Sequence, residues 1–133
     1  MKKPRKDEEH KIQCAIIEAV QYIPECRWLY AIPNGGYRNI ATAVRLKKEG
    51  VKPGVLDLFL PVPIVSKQLI CHGLYIEVKT TKPGSRLTEN QKEFIEHCDR
   101  YGYVWKIVRS AQECVVVINR YLELKLRLEN EKA

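Results

Sequence analysis

Leu74-Tyr75-Ile76-Glu77-Val78-Lys79-Thr80 (LYIEVKT) is the stretch on which the fold turns. Its branched and aromatic residues read as a strand. Residues two apart in a strand share a face, so Glu77 and Lys79 project together while Ile76 and Val78 point to the core. A lone E-x-K is ordinarily the solvated face of an alternating strand. A second run changes that reading. Val55-Leu56-Asp57-Leu58-Phe59-Leu60 (VLDLFL) would be a nearly fully buried strand but for Asp57. A carboxylate in such a run is costly unless it is paired or binds a metal. An aspartate at a sheet edge, or held by a local turn, is the alternative. If the two strands are neighbours, Asp57 and Glu77 lie close together, and a divalent cation relieves their repulsion. Hard oxygens from Asp57, Glu77 and the Val78 carbonyl suit Mg²⁺ or Mn²⁺. Lys79 would then orient a water or take up phosphoryl charge. Such a set supports in-line hydrolysis of a phosphodiester.

Working outward, the pattern predicts a helix over 7–22, where Ile12, Ala15, Ile16, Ala19 and Val20 recur at three- and four-residue spacing and Pro24 closes the element. Arg27–Ile32 reads as a strand, Pro33-Asn34-Gly35-Gly36 as a tight turn, and Ile40–Glu49 as a short helix with Gly50 at its C-terminal end. Lys52-Pro53-Gly54 is another turn, and Pro61–Cys71 is a loop or irregular hairpin. Thr88 and Gln91 have capping-box spacing, so a helix starts there, buries Phe94, Ile95 and Cys98, and stops at Gly102. Val104–Arg109 is the last strand. Ser110 and Glu113 open a final helix to about Glu129. The order α-β-α-β-β-α-β-α predicts an α/β fold: a four-stranded mixed sheet flanked by helices. Residues 1–6 form a basic tail and 7–133 one domain.

Charge adds a partner class. The chain of 133 residues carries a net charge of +7. Between Ala31 and Arg86 the basic residues Arg38, Arg45, Lys47, Lys48, Lys52, Lys67, Lys79, Lys82 and Arg86 face only Glu49, Asp57 and Glu77. A basic middle with a few isolated carboxylates suits a phosphate-binding surface around a metal. Asn34, Arg38, Arg45, Lys48, Lys52, Lys82 and Arg86 are the candidate DNA contacts, although each singly also fits solvated surface. No apolar run is long enough for a bilayer span, so no membrane role is expected, and the N-terminus lacks a signal-peptide pattern. The odd set Cys14, Cys26, Cys71, Cys98 and Cys114 contains no C-x-x-C, which argues against a disulfide framework or zinc knuckle and for buried thiols in a reducing cytoplasm. His10, His72 and His97 show no metal spacing.

Two further residues are open to two readings. Glu9 could add a carboxylate to the site or be plain helix surface. Gln91 could point its amide into the site or serve only as a cap.

Several stretches together resemble one family. They are Ile32-Pro33-Asn34-Gly35-Gly36-Tyr37-Arg38, then Leu46 through Gly54 to Leu58 with its G-V-K-P-G-x-x-D pattern, then Gly73–Lys79, then Gly84 through Leu87 to Gln91. In this order and spacing they are similar to a stand-alone VRR-NUC domain of the PD-(D/E)XK nucleases, of the kind found in phages and prophages. Leu56 stands where the family often has proline before the aspartate. The resemblance implies a restriction-endonuclease-like core, Asp57, Glu77 and Lys79 as the catalytic set, Gln91 and Glu9 as accessory residues (Glu8 and Glu18 being nearby alternatives), and dependence on Mg²⁺ or Mn²⁺. It further implies a homodimeric, structure-selective DNA endonuclease similar to Holliday-junction resolvases. Because the same domain ends the Fanconi-anaemia-associated nuclease, a flap or single-strand-directed activity is the second reading. A basic DNA-binding module without catalysis is the third. For a dimer surface the final helix is one candidate, through Val115, Ile118, Leu122 and Leu126. Alternatively it simply covers the sheet.

Overall fold

The computed structural model describes residues 5–33 and 39–131. The Pro33–Gly36 turn therefore lies almost wholly outside the described residues, as do Asn34 and Arg38. Four helices, α1 (Arg5–Val20), α2 (Ile40–Lys48), α3 (Glu89–Tyr101) and α4 (Ala111–Asn130), surround strands β1 (Tyr30–Ala31), β2 (Leu58–Leu60), β3 (Ile64–Val65), β4 (Ile70–Cys71), β5 (Leu74–Val78) and β6 (Val104–Val108).

The main sheet has the order β1-β2-β5-β6. β1 pairs antiparallel with β2, β2 antiparallel with β5, and β5 parallel with β6. It is the mixed four-stranded sheet expected from the sequence. The parallel step needs a crossover, and α3 supplies it. Period-two alternation sorts the side chains. Leu58, Leu60, Leu74, Ile76, Val78 and Val108 are buried on one face against Ile16 and Val20 of α1 and Cys114, Ile118 and Tyr121 of α4. The opposite face carries Asp57, Phe59, Tyr75, Glu77 and Lys79, and α3 packs there through Ile95 and Cys98.

Pro61–Cys71 forms the hairpin β3–β4, which α4 holds through local bonds. The Tyr121 hydroxyl donates to the Val62 carbonyl at 2.6 Å, the Lys125 ammonium to the Pro63 carbonyl at 2.7 Å, and the Val65 N–H to Glu129 Oε2 at 2.9 Å. Covering the sheet and this hairpin is thus what α4 does. Ile118 is buried and Val115 and Leu122 half-buried in that role, and Leu126 alone of the four expected apolar positions stays exposed.

Several boundaries differ from the sequence reading. The strand over 27–32 shrinks to Tyr30–Ala31, because Pro24–Cys26 forms a 3₁₀ turn. α1 ends at Val20, ahead of Pro24. The VLDLFL strand begins only at Leu58, for a reason that belongs to the site below. Phe94 is half-buried, packed edge-on against Tyr75 rather than enclosed. Cys14 is exposed, unlike the other four cysteines: it sits on the outer side of α1, its sulfur 3.5 Å from His10 Nε2. All five are free thiols.

The α3 capping box closes in both directions, whereas at α4 only its first half forms, because the Glu113 carboxylate accepts from the Arg109 N–H (3.2 Å) instead of the Ser110 N–H. Thr88 Oγ1 accepts from the Gln91 N–H at 3.2 Å while Gln91 Oε1 accepts from the Thr88 N–H at 2.9 Å, and Ser110 Oγ accepts from the Glu113 N–H at 3.1 Å. α3 ends at Gly102, whose φ of 81° is the left-handed conformation that closes helices. Gly54 is required for space as well as for φ (94°). A Cβ there would lie 2.4 Å from the Asn90 carbonyl oxygen, so its backbone rests directly on the start of α3.

Candidate active site

The β2–β5 register places Leu58 opposite Ile76. One step further, Asp57 falls opposite Glu77 on the same face, the closest side-chain relation an antiparallel pair allows. The ladder stops there because Asp57 substitutes for a backbone partner. Its Oδ2 accepts the Val78 N–H at 2.8 Å, while its own carbonyl takes the Ile32 N–H at 2.8 Å. That exchange explains both the short β2 and the tolerance of an acid inside an apolar run.

Glu77 is 2% exposed. Its Oε2 accepts from Gln91 Nε2 at 2.7 Å and lies 3.3 Å from the Lys79 ammonium, itself buried. Its Oε1 is buried with no hydrogen-bond partner. Burial pushes the Glu77 carboxyl up to about 8, and the facing Asp57 charge adds to the rise, while Lys79 opposes it. Burial raises Asp57 as well, against the lowering pull of the Val78 N–H. Two facing carboxylates repel, which favours a proton on one of them. The arrangement offers a cation two hard carboxylate donors and a buried acceptor, Glu77 Oε1, that has no hydrogen-bond partner. The donor set fits Mg²⁺ or Mn²⁺.

Gln91 thus does both things the sequence left open. Its carbonyl oxygen closes the cap and its amide nitrogen holds Glu77. Glu9 is half-buried on α1, which packs against β5. Among the described residues no third His, Cys, Asp or Glu joins Asp57 and Glu77 in a metal-holding cluster. The neighbouring Glu8 is engaged in an ion pair with Lys82. Of the basic candidates, Lys82 is therefore tied to α1, Arg45 pairs with Glu49 at 3.1 Å on the surface, and Lys48, Lys52 and Arg86 are exposed.

One positioning residue escaped the sequence reading. The strand beyond Lys79 is fixed by the Lys79 N–H to the Val108 carbonyl (3.0 Å), the Thr80 N–H to the Ser85 hydroxyl (3.1 Å), and the Arg109 guanidinium to the Thr80 carbonyl. Arg109 directly follows the parallel neighbour β6, and nothing local marks it out in sequence. A recess between β6 and α4, lined by Leu74, Val104, Lys106, Tyr121 and Leu124, opens on the other face of the sheet and takes no part in the site.

A mixed α/β sheet with Asp57 just ahead of β2 and Glu77 and Lys79 at the end of β5 is the arrangement of a nuclease of the restriction-endonuclease-like class, and the family match bears this class out. The sequence profile of the VRR-NUC domain matches residues 5–112. The chain belongs to the VRR-NUC domain family. A solved structure described as a VRR_NUC domain protein is similar over 93% of both chains, with a TM-score of 0.71 and 25% sequence identity. No curated protein matches the chain. No helix among the described residues is long and apolar enough to cross a membrane.

Proposed function

We propose that this nuclease domain is a Mg²⁺- or Mn²⁺-dependent DNA endonuclease that hydrolyses phosphodiester bonds in branched DNA, four-way junctions first among them, and works as a homodimer. The observation that carries the metal dependence is the Asp57–Glu77 pair, a half-buried and a buried carboxyl, both shifted upward, with Glu77 Oε1 lacking a hydrogen-bond partner. Asp57, Glu77 and the Val78 carbonyl would hold the ion. Bound there, it would supply Lewis-acid polarisation of the phosphate. Gln91 fixes the Glu77 rotamer, and Arg109 with Ser85 fixes the strand end that presents Lys79. The Lys79 ammonium offers the attacking water or the phosphoryl oxygens a positive charge in a site screened from solvent, where such a charge counts most. Glu9 is an accessory carboxylate. Asn34, Arg38, Arg45, Lys48, Lys52, Lys82 and Arg86 contribute the phosphate-binding surface, with a net charge of +7 behind them. Two-fold symmetry in a dimer would match paired cuts on a symmetric junction.

The test is cleavage of a labelled four-way junction, a flap and a plain duplex by wild type and Lys79→Ala, in Mg²⁺, Mn²⁺ or EDTA. Metal-dependent junction cutting, lost by roughly a hundredfold or more in Lys79→Ala while DNA binding persists, is the expected result. Preferential cutting of the flap keeps the site and favours a flap or single-strand-directed enzyme. Tight binding with no metal-dependent cutting of any substrate leaves a DNA-binding module.

A further inference from the structure

Two residues along the chain from Asp57 and from Glu77, the same sheet face carries a row of aromatic side chains. Tyr30 lies opposite Phe59, Phe59 opposite Tyr75, and Tyr75 beside Trp105, one ring from each strand of the sheet. The Tyr30 and Phe59 rings meet edge to face at 5.9 Å, and the Phe59 and Tyr75 rings lie tilted at 4.4 Å. α3 covers one half of this row. Phe94 stands edge-on to Tyr75 at 4.9 Å, and Trp105 Nε1 donates to Asp99 Oδ1 at 2.8 Å. The other half is open, with Tyr30 51% exposed on the short edge strand. Phe59 beneath it is firmly seated, because a Cβ on Gly73 would lie 2.5 Å from its ring.

Resting on the nuclease reading above, we propose that Tyr30, backed by Phe59, is a stacking surface for an unpaired nucleobase next to the scissile phosphate. Three observations favour that occupant. The surface shares its face with Asp57, Glu77 and Lys79, so DNA held at the carboxylates runs past it. The chain carries a net charge of +7, which favours a polyanion as the occupant. The exposed ring also rests against Phe59 and offers an unspecific aromatic surface, which suits base stacking because every base has a π face. A base inside a duplex has both faces occupied, so only an unpaired or splayed one can use the site. The catalytic centre would thereby prefer DNA that frays or branches where it cuts.

The experiment uses the full chain in EDTA, where binding is read without cleavage. The probes are a duplex with a single-stranded arm, carrying 2-aminopurine at its first unpaired position, and the same duplex without the arm. Tyr30→Leu keeps apolar bulk on the strand and removes the ring, and Tyr30→Phe keeps the ring. For Tyr30→Leu the expected result is a roughly 5- to 150-fold weaker affinity for the armed probe, unchanged affinity for the blunt one, and loss of the 2-aminopurine quenching that wild type and Tyr30→Phe produce. Equal losses on both probes, or quenching that survives Tyr30→Leu, overturns the proposal. So does a fall in sedimenting mass of free Tyr30→Leu, which would mean that a second copy covers the ring. Metal-dependent cutting by wild type is scored separately, so failure of the nuclease reading shows as no cleavage rather than as no quenching.

Discussion

Replacing Glu77 with glutamine exchanges a carboxyl for an amide of the same shape at a position 2% exposed. The amide oxygen still accepts from Gln91, and the new N–H₂ can donate to Asp57, which now has no facing anion. In wild type without metal, Glu77 moves from an ordinary 4.5 to about 8. A carboxyl raised on folding stabilises the native state only while it is protonated. Its contribution is full below pH 4.5, falls as pH rises through the window between the two values, and is gone above about 8. At about 1.4 kcal/mol per unit, the ceiling on that loss is about 5 kcal/mol. Relaxation around the pair reduces it, so a loss on the order of 2–5 kcal/mol is expected. Glu77→Gln has no proton to lose. Its stability advantage over wild type, from urea denaturation in EDTA, should therefore be small at pH 5 and widen steadily to pH 8.5. Saturating Mg²⁺ should close the gap by stabilising wild type alone, because a bound cation replaces the proton. An advantage that is flat with pH would refute the electrostatic account of the pair, whatever its size. Equal Mg²⁺ stabilisation of both proteins would refute Glu77 as a ligand.

The remaining predictions concern the parts that hold this pair in place. Thr88→Ala and Gln91→Ala each open the α3 capping box and should each cost about 1 kcal/mol in thermal or urea denaturation. Only Gln91→Ala also frees Glu77, so only it should lower cleavage per folded molecule. Gly54→Ala combines a left-handed φ with a clash against the Asn90 backbone and should cost about 2–4 kcal/mol. Gly50→Ala, at φ 102° with nothing within 4 Å of the new methyl, should cost only the strain of about 1 kcal/mol. Similar urea midpoints for the two alanine variants would remove the packing role of Gly54.

The helices and central strands were legible wherever one signal dominated. Thr88 and Gln91, then Gly102, bracket α3 by cap chemistry alone. The alternation of Ile76 and Val78 with Glu77 and Lys79 sorted the two faces of β5 without any knowledge of its neighbours. What stayed hidden is what depends on long-range contacts. Nothing near Asp57 says that its side chain will take the Val78 N–H, so the apolar pattern starts the strand three residues before the sheet does. Arg109 becomes a positioning residue only because β6 runs parallel beside β5 and ends level with Lys79. The Arg27–Ile32 run has strong strand propensity, but the 3₁₀ turn at Pro24–Cys26 removes its first half from the sheet. Tyr30, Phe59, Tyr75 and Trp105 lie far apart in the chain and form a row only through the register of four strands.

Asp57 also bears on which ions the site would accept. One of its oxygens is committed as a rung of the sheet, and releasing it would leave the Val78 N–H unpaired at the end of β5. The other oxygen keeps both lone pairs, so Asp57 would favour monodentate binding of an ion. Large cations such as Ca²⁺ prefer seven or eight oxygens and often take both atoms of a carboxylate, whereas Mg²⁺ is content with single oxygens in an octahedron completed by water. Ion discrimination here would thus come from a backbone hydrogen bond that limits denticity, rather than from the diameter of a cavity.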